Sequence, residues 1–353
     1  MISAHGAVNA HTHLYSGLAA LGMPPPERAP TCFREILERV WWRLDRALDA
    51  RTLRAAARYH VAHALLAGTT ALIDHHESPA FIEGSLDVLA DACESLGCRA
   101  VICYGATERN GGRDEALRGL SECGRFLREN RRPLVRGAVG LHALFTVSDE
   151  TVREAAALAR AWNVPLHVHV AEDRCDVDDA IARGYAGPVA RLDALGALRA
   201  GDILAHGVWL SEAERAAVEA RGAWLVQNPR SNANNRVGYP KGLKGMRRVA
   251  LGTDGFPSDM REELAALRRE AAAHGDDLDD LRRRAAEGKV LLARFFAHTD
   301  DAVHAEGGAV REVRVADRVV VREGALVTAD LRAVDEEARA AAQALWGAMR
   351  ELP

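Results

Sequence analysis

The sequence predicts an α/β chain folded as a (β/α)8 barrel with a small β element at its C-terminus, and three observations predict it. Eight short apolar runs alternate with longer helical stretches, eight is the number of strands that closes such a barrel, and the chemically distinctive strings stand where those runs end. The runs lie near 7–11, 69–75, 99–105, 134–142, 164–170, 202–206, 223–228 and 248–254. Their near-continuous apolar character implies a parallel sheet buried on both faces. Between them, helical patterns run from Phe33 to Leu66, Pro79 to Leu96, Arg113 to Asn130, Ser148 to Trp162, Val177 to Leu195 and Ser211 to Arg221, with Ser148 and Ser211 as N-caps. After Asp254 the pattern changes. Residues 259–298 are helical and rich in Arg, Ala and Glu, Val310 to Thr328 reads as a β-hairpin turning at Glu323-Gly324, and Val334 to Met349 reads as an amphipathic helix. This divides the chain into a barrel, 1–300, and a small C-terminal element, 301–353.

Composition narrows the functional classes. A chain of 353 residues with 48% hydrophobic and 27% charged content can bury a large core. Its 46 basic and 50 acidic residues are mixed along the chain, so neither a nucleic-acid stripe nor a membrane face stands out, and a small neutral or mildly charged molecule is the expected partner. Six cysteines without a Cys-x-x-Cys pair read as reduced thiols of a cytoplasmic protein. The opening Met1 to Gly6 has no basic region followed by an apolar stretch, and no segment reaches the roughly 18 apolar residues of a membrane span, so neither export nor insertion is expected.

Five strings carry the chemistry: His11-Thr12-His13, His167-Val168-His169-Val170-Ala171-Glu172, Ala205-His206-Gly207, Asn228-Pro229-Arg230-Ser231-Asn232 and Gly252-Thr253-Asp254-Gly255. Together they supply imidazole ligands, a carboxylate ligand and a carboxyl acid/base, the parts of a hydrolytic metal site. Side chains alternate along a strand with period two, so His11 and His13 point the same way and both can face one ion. His169 and Glu172 span a strand-to-loop transition, where the histidine can bind the metal while the carboxyl reaches past it toward substrate. His167 is assigned to the opposite face of its strand, as packing. Asp254, at the end of the eighth run, offers an anionic ligand that can also take a proton from the attacking water. The Asn228 to Asn232 string is expected to shape a loop.

With Trp41-Trp42-Arg43-Leu44-Asp45-Arg46, Asp74-His75-His76-Glu77-Ser78 and Gly105-Ala106-Thr107-Glu108-Arg109-Asn110, these strings resemble the amidohydrolase superfamily, in the branch of guanine, cytosine and S-adenosylhomocysteine deaminases and triazine hydrolases. The likeness is strongest to SsnA-type aminohydrolases and runs over roughly residues 7 to 260 in the right order. It implies that Glu172 shuttles protons, protonating a ring nitrogen while the neighbouring carbon is attacked. It places His206 beside the attacking water, where it ligates the metal or hydrogen-bonds the hydroxide. His142 stands where binuclear relatives carry a carboxylated lysine, which implies one ion, zinc or iron, and makes His142 a substrate contact or a packing residue. Asp45 resembles an acidic position that holds substrate, although on an Arg/Asp-rich helix it also reads as a solvated charge. His75, His76 and Glu77 can line the pocket without an assigned role.

The implied activity is metal-dependent hydrolytic deamination of a purine-like, pterin-like or related amino-heterocycle, with metal ligands His11, His13, His169 and Asp254. Hydrolysis of a carbon-halogen or cyclic amide bond uses the same parts, and a truncated non-catalytic paralogue is the third reading. The resemblance also implies a β-sandwich shared between an N-terminal segment and the tail. Here His11 stands ten residues after Met1, so half of that sandwich is expected to be missing. The hairpin from Val313 to Val327 would then have few strands to pair with, and the tail would pack back on the barrel wall or pair with a second subunit in a homodimer.

Overall fold

The long apolar runs become strands that are covered on both faces. In the computed structural model, which describes residues 2–352, Thr69–His76 and Arg99–Ala106 are buried at every position. The strands in chain order are β1 (Ile2–His5), β2 (Ala7–Thr12), β3 (Thr69–His76), β4 (Arg99–Ala106), β5 (Val135–Gly137), β6 (Val139–Ala143), β7 (Leu166–Val170), β8 (Ile203–His206), β9 (Trp224–Gln227) and β10 (Val249–Leu251), followed by β11 (Ala302–Glu306), β12 (Ala309–Val315), β13 (Arg318–Arg322) and β14 (Ala325–Leu326).

Strands β2, β3, β4, β6, β7, β8, β9 and β10 pair in parallel, in sequence order, with β5 beside the first half of β4. The eight expected runs are these strands, except that 134–142 is interrupted at Ala138. The first and last close through a single parallel bridge, Thr12 to Asp254. Backbone hydrogen bonds reinforce it: the N–H groups of Thr253 and Asp254 both donate to the His11 carbonyl. Asn9 adds a side-chain clasp, donating to Thr253 Oγ1 at 2.6 Å and Ser258 Oγ at 2.8 Å. At Gly252 a Cβ would stand 2.7 Å from the His11 carbonyl oxygen, so only glycine permits this approach. The closure therefore places the first histidine pair against Asp254.

The expected helix from Phe33 to Leu66 is broken. Residues 33–36, a π-turn at 37–41 and 42–46 precede a separate helix, Ala50–Leu66. Asp49 caps the latter in a reciprocal box with Thr52, a signature legible in Asp49-x-x-Thr52. Val177 to Leu195 likewise divides into Arg174–Ala182 and Pro188–Ala194, with proline at the first helical position. Among the described residues no helix is long and apolar enough to cross a membrane.

The tail differs most from expectation. The expected hairpin from Val310 to Thr328 turns twice, at Ala316-Asp317 and at Glu323-Gly324, all four residues having positive φ, and is a three-stranded meander. Strand β11 pairs with β12 and also with β1, making a five-stranded antiparallel sheet, β1-β11-β12-β13-β14, from both ends of the chain. A strand ahead of Val310 and a partner from the N-terminus thus exist where neither was expected. The Asp301 carboxylate fastens this sheet to the barrel, receiving Arg99 Nε and Nη2 at 2.9–3.1 Å and the Ala316 N–H. The final helix, Leu331–Glu351, buries Val334, Ala338, Ala341, Leu345, Trp346 and Met349, and its Glu337 and Asp335 meet Arg54, Arg58 and His63 of the helix 50–66. Its apolar stripe is covered within the chain and gives no reason for a dimer.

Candidate metal centre

At the C-terminal ends of the barrel strands the side chains of His11, His13, His169 and Asp254 converge, each offering a ligand atom within 4.8 Å of the others. His13 Nε2 lies 2.8 Å from Asp254 Oδ1, His11 Nε2 lies 3.4 Å from the same oxygen, and the Nε2 atoms of His13 and His169 are 3.3 Å apart. The other nitrogens of these rings are engaged elsewhere: His13 Nδ1 on the His75 carbonyl and His169 Nδ1 on the His142 carbonyl, each at 2.5 Å. A carbonyl can only accept, so both rings carry their proton on Nδ1 and turn a lone pair inward on Nε2. Two facing lone pairs beside a carboxylate, with His11 Nε2 buried and lacking a hydrogen-bond partner, make a donor set suited to one divalent cation.

Electrostatics sorts the charges. Burial drives His11 down to about 3, whereas the carboxylates of Asp254 and Glu77 overcome burial at His13 and lift it to about 10. The carboxylates thus favour positive charge at this point, which a cation on the Nε2 lone pair of His13 would supply in place of a proton. The two carboxyls of the site are pushed in opposite directions. Glu172 is raised well above its ordinary range by burial and by the Asp254 charge, while the hydrogen bonds of His11 and His13 outweigh burial and hold Asp254 well below its own. Such a split marks a neutral acid beside an anionic ligand or base.

His206, Glu172 and Asp254 form a second group around the same point. His206 Nδ1 donates to Asn232 Oδ1 at 2.8 Å, so its lone pair is on Nε2, which lies 3.5 Å from Glu172 Oε2 and has no hydrogen-bond partner. Three non-glycine residues here, Ala171, His206 and Asp254, hold φ of 50°, 73° and 53°. L-residues rarely adopt that conformation, and the strain re-aims side chains just past the strand ends.

Two readings of the sequence need correction. His167 does not face away from the site: two residues from His169, it points the same way, into the barrel, with Nε2 2.9 Å from His11 Nδ1. It is the partner that orients His11. The Asn228 to Asn232 string does more than shape a loop. Residues Pro229–Asn235 form a short helix whose Ser231 donates to Asp254 Oδ2, whose Asn235 reaches Glu172 Oε1 at 3.5 Å, and whose Asn232 holds His206. Three polar residues at helical spacing directly after a strand were the available signal.

The cavity above the cluster is lined by Tyr15, Trp41, Trp42, Phe145, Glu77 and His142, among others. His142, buried, has Nδ1 3.2 Å from Thr146 Oγ1 and faces the Trp42 ring edge-on. Glu77 also lines this cavity, 2.7 Å from His75 Nδ1, and is held well below its ordinary range because the neighbouring histidines outweigh burial. Asp45 is not a solvated charge: it is buried in an ion pair with Arg109, whose guanidinium lies 4.9 Å over the Trp42 ring. The pair stands behind that cavity wall, and burial pushes Asp45 up to about 6.

Residues 5–309 match the amidohydrolase family. This chain belongs to that family. A 5'-deoxyadenosine deaminase of Methanopyrus kandleri is 33% identical over 272 residues, 73% of this chain and 59% of that protein. A 5'-deoxyadenosine deaminase of Methanoregula boonei is 29% identical over 73% of this chain, and there too the match spans only 57% of the relative's length. A 5-methylthioadenosine/S-adenosylhomocysteine deaminase of Archaeoglobus fulgidus is 30% identical over 89% of this chain and 73% of its own. Among solved structures, a zinc-bound adenosine deaminase from Xanthomonas campestris superposes with a TM-score of 0.80 at 24% identity, covering 97% of this chain and 85% of that one, which shows the shared (β/α)8 fold.

Proposed function

We propose that this amidohydrolase is a hydrolytic deaminase that releases ammonia from an amino-heterocycle of the adenosine or related purine class. The observation that carries the reading is the convergence of His11, His13, His169 and Asp254 on one point with Glu172 and His206 beside it, where burial raises the Glu172 carboxyl and the histidines lower that of Asp254. These four ligands, His11, His13, His169 and Asp254, suit one zinc ion, and iron would fit the same donors. When bound, such an ion supplies a water acidified from about 15.7 to about 7, a nucleophile at neutral pH.

The chain's own groups do the rest. The protonated Glu172 carboxyl donates to the ring nitrogen next to the amino-bearing carbon, making that carbon electrophilic, and its carboxylate then takes the remaining proton of the added oxygen as the carbonyl forms, while the proton that Asp254 takes from the water passes to the amine, which leaves as ammonia. Asp254 accepts the proton of the water. His206 Nε2, its ring fixed by Asn232, holds the attacking oxygen in line. His142 and Glu77 offer polar contacts to the edge of the heterocycle, and Trp42, backed by Arg109 and Asp45, offers it a flat apolar wall. The barrel of residues up to 300 carries all of these groups, and the element 301–353 completes the small sheet.

The test is ammonia release by the zinc-reconstituted chain from 5'-substituted adenosines, free purines and pterins, with chlorotriazines and cyclic amides alongside. Turnover of at least one aminopurine with one ammonia per product is expected. Halide release or ring opening without ammonia would overturn the reading, and bound zinc with no turnover of any compound would point to a non-catalytic chain.

A further inference from the structure

At the opposite end of the barrel, where strands β5, β7 and β8 begin, the chain forms a second cleft of about 500 Å³. Five arginines line it, Arg131, Arg132, Arg136, Arg199 and Arg294, and no aspartate or glutamate does. The rest of its wall includes Asn130, Asn163, Leu127, Pro133, Pro165 and Phe295.

Few of these cations are neutralised. Arg132 pairs with Asp87 and Asp91, and Arg199 shares the buried Asp202 at 3.4 Å while donating to the Val164 carbonyl. Arg131 donates only to the carbonyls of Arg128 and Asn130. Arg136 donates to the carbonyls of Arg132, Pro133 and Val135 and stacks 4.7 Å over Phe296, without a carboxylate. Arg294 makes no side-chain hydrogen bond or ion pair with any described residue, and Arg199 Nε is buried without a partner. The Arg294 guanidinium lies over Gly201, whose φ of +94° favours glycine. The three guanidinium groups of this cleft without a carboxylate partner among the described residues, those of Arg131, Arg136 and Arg294, repel one another, and an anion that they share relieves that repulsion through charge-assisted, often bidentate hydrogen bonds.

We infer that this cleft is a binding site for a small phosphoryl polyanion, of the class of nucleoside di- and triphosphates or inorganic oligophosphates. A single carboxylate or phosphate would leave most of the arginines unmatched, and the volume lies within the range of pockets that take nucleotide-sized ligands. The apolar wall of Leu127, Pro133, Pro165 and Phe295 gives a base or sugar a surface beside the charges. The site is built from different residues than the metal centre, so it stands whether or not the deaminase reading holds.

Equilibrium dialysis of the zinc-loaded full chain at about 150 mM salt, with ATP and with inorganic tripolyphosphate as separate probes, tests it, zinc content being measured afterwards to exclude chelation. Saturable binding near one equivalent is expected for at least one probe. ATP tighter than tripolyphosphate assigns the apolar wall to the nucleoside, and equal affinities assign the site to the phosphate chain alone. Charge reversal in Arg294→Glu and in Arg131→Glu, both exposed positions, should each weaken binding about tenfold or more, and Arg268→Glu, on an exposed helix elsewhere, should not. No saturable binding of either probe, equal weakening by Arg268→Glu, or capture of single-stranded RNA with no binding of small phosphates would each overturn the inference. Melting curves of the variants matching the parent's keep a folding defect from being read as lost binding.

Discussion

The two ends of the barrel use charge in opposite ways. At the C-terminal end the ionisable groups are buried, packed into contact and pushed far from their ordinary pKa values, with Glu172, Asp254, His11 and His13 all shifted by one another. At the N-terminal end the charges are arginines partly open to water, two of which, Arg131 and Arg136, are held by backbone carbonyls without a carboxylate. Acid and base work by groups of one chemical type requires environments that push their pKa values apart, which a dry, crowded site provides, whereas fixed charge suits binding or fastening. The difference teaches that one scaffold can keep chemistry and attachment on separate faces, and each substitution below strikes one face and should spare the other.

The largest effect is expected at the ligands. His169→Ala should lose the metal and all turnover, while the parent should hold about one equivalent of zinc or iron per chain by elemental analysis; two tightly bound equivalents, both needed for activity, would break the single-ion assignment. At the other end, Arg99→Ala leaves the buried Asp301 carboxylate without its bidentate partner. A loss of about 3–5 kcal/mol in denaturant unfolding is expected, with kcat per folded molecule unchanged. A matching fall in kcat would mean that the two ends are not separable. Glu172→Gln should keep its zinc and its melting temperature yet lose about 100-fold or more in kcat, the scale of general acid/base work. Metal loss equal to that of His169→Ala would make Glu172 a ligand instead.

The smallest effect concerns pH. Burial pushes Asp202, beneath the arginine cleft, up to about 6, against the opposing hydrogen bonds of Leu166 and Arg199. Folded Asp202 then keeps its proton where the unfolded chain has lost it, so its contribution to stability is present below the ordinary carboxylate pKa and is lost as pH rises through about 6. Compared with the parent, Asp202→Asn should show a shallower decline of unfolding free energy between about pH 4 and 6, by about 2 kcal/mol. Superimposable slopes would show that Asp202 ionises normally.

Much of this was legible in the chain. A parallel strand buried on both faces writes itself as an apolar run, and the catalytic end of a barrel writes itself as polar residues directly after such runs, so the eight strands and the strings around His11, His169, His206 and Asp254 stood out. Local rules also marked Ser148 and Ser211 as caps, which they are. What the sequence could not decide was contact between distant segments. That His167 orients His11, that Asn232 fixes His206, that Asp45 is neutralised by Arg109 and that β1 pairs with β11 depend on which elements become neighbours, and spacing along the chain carries no such information. The arginine cleft is the extreme case: its five cations come from segments between Arg131 and Arg294, each an ordinary surface arginine by itself, and only the closure of the barrel turns them toward one another.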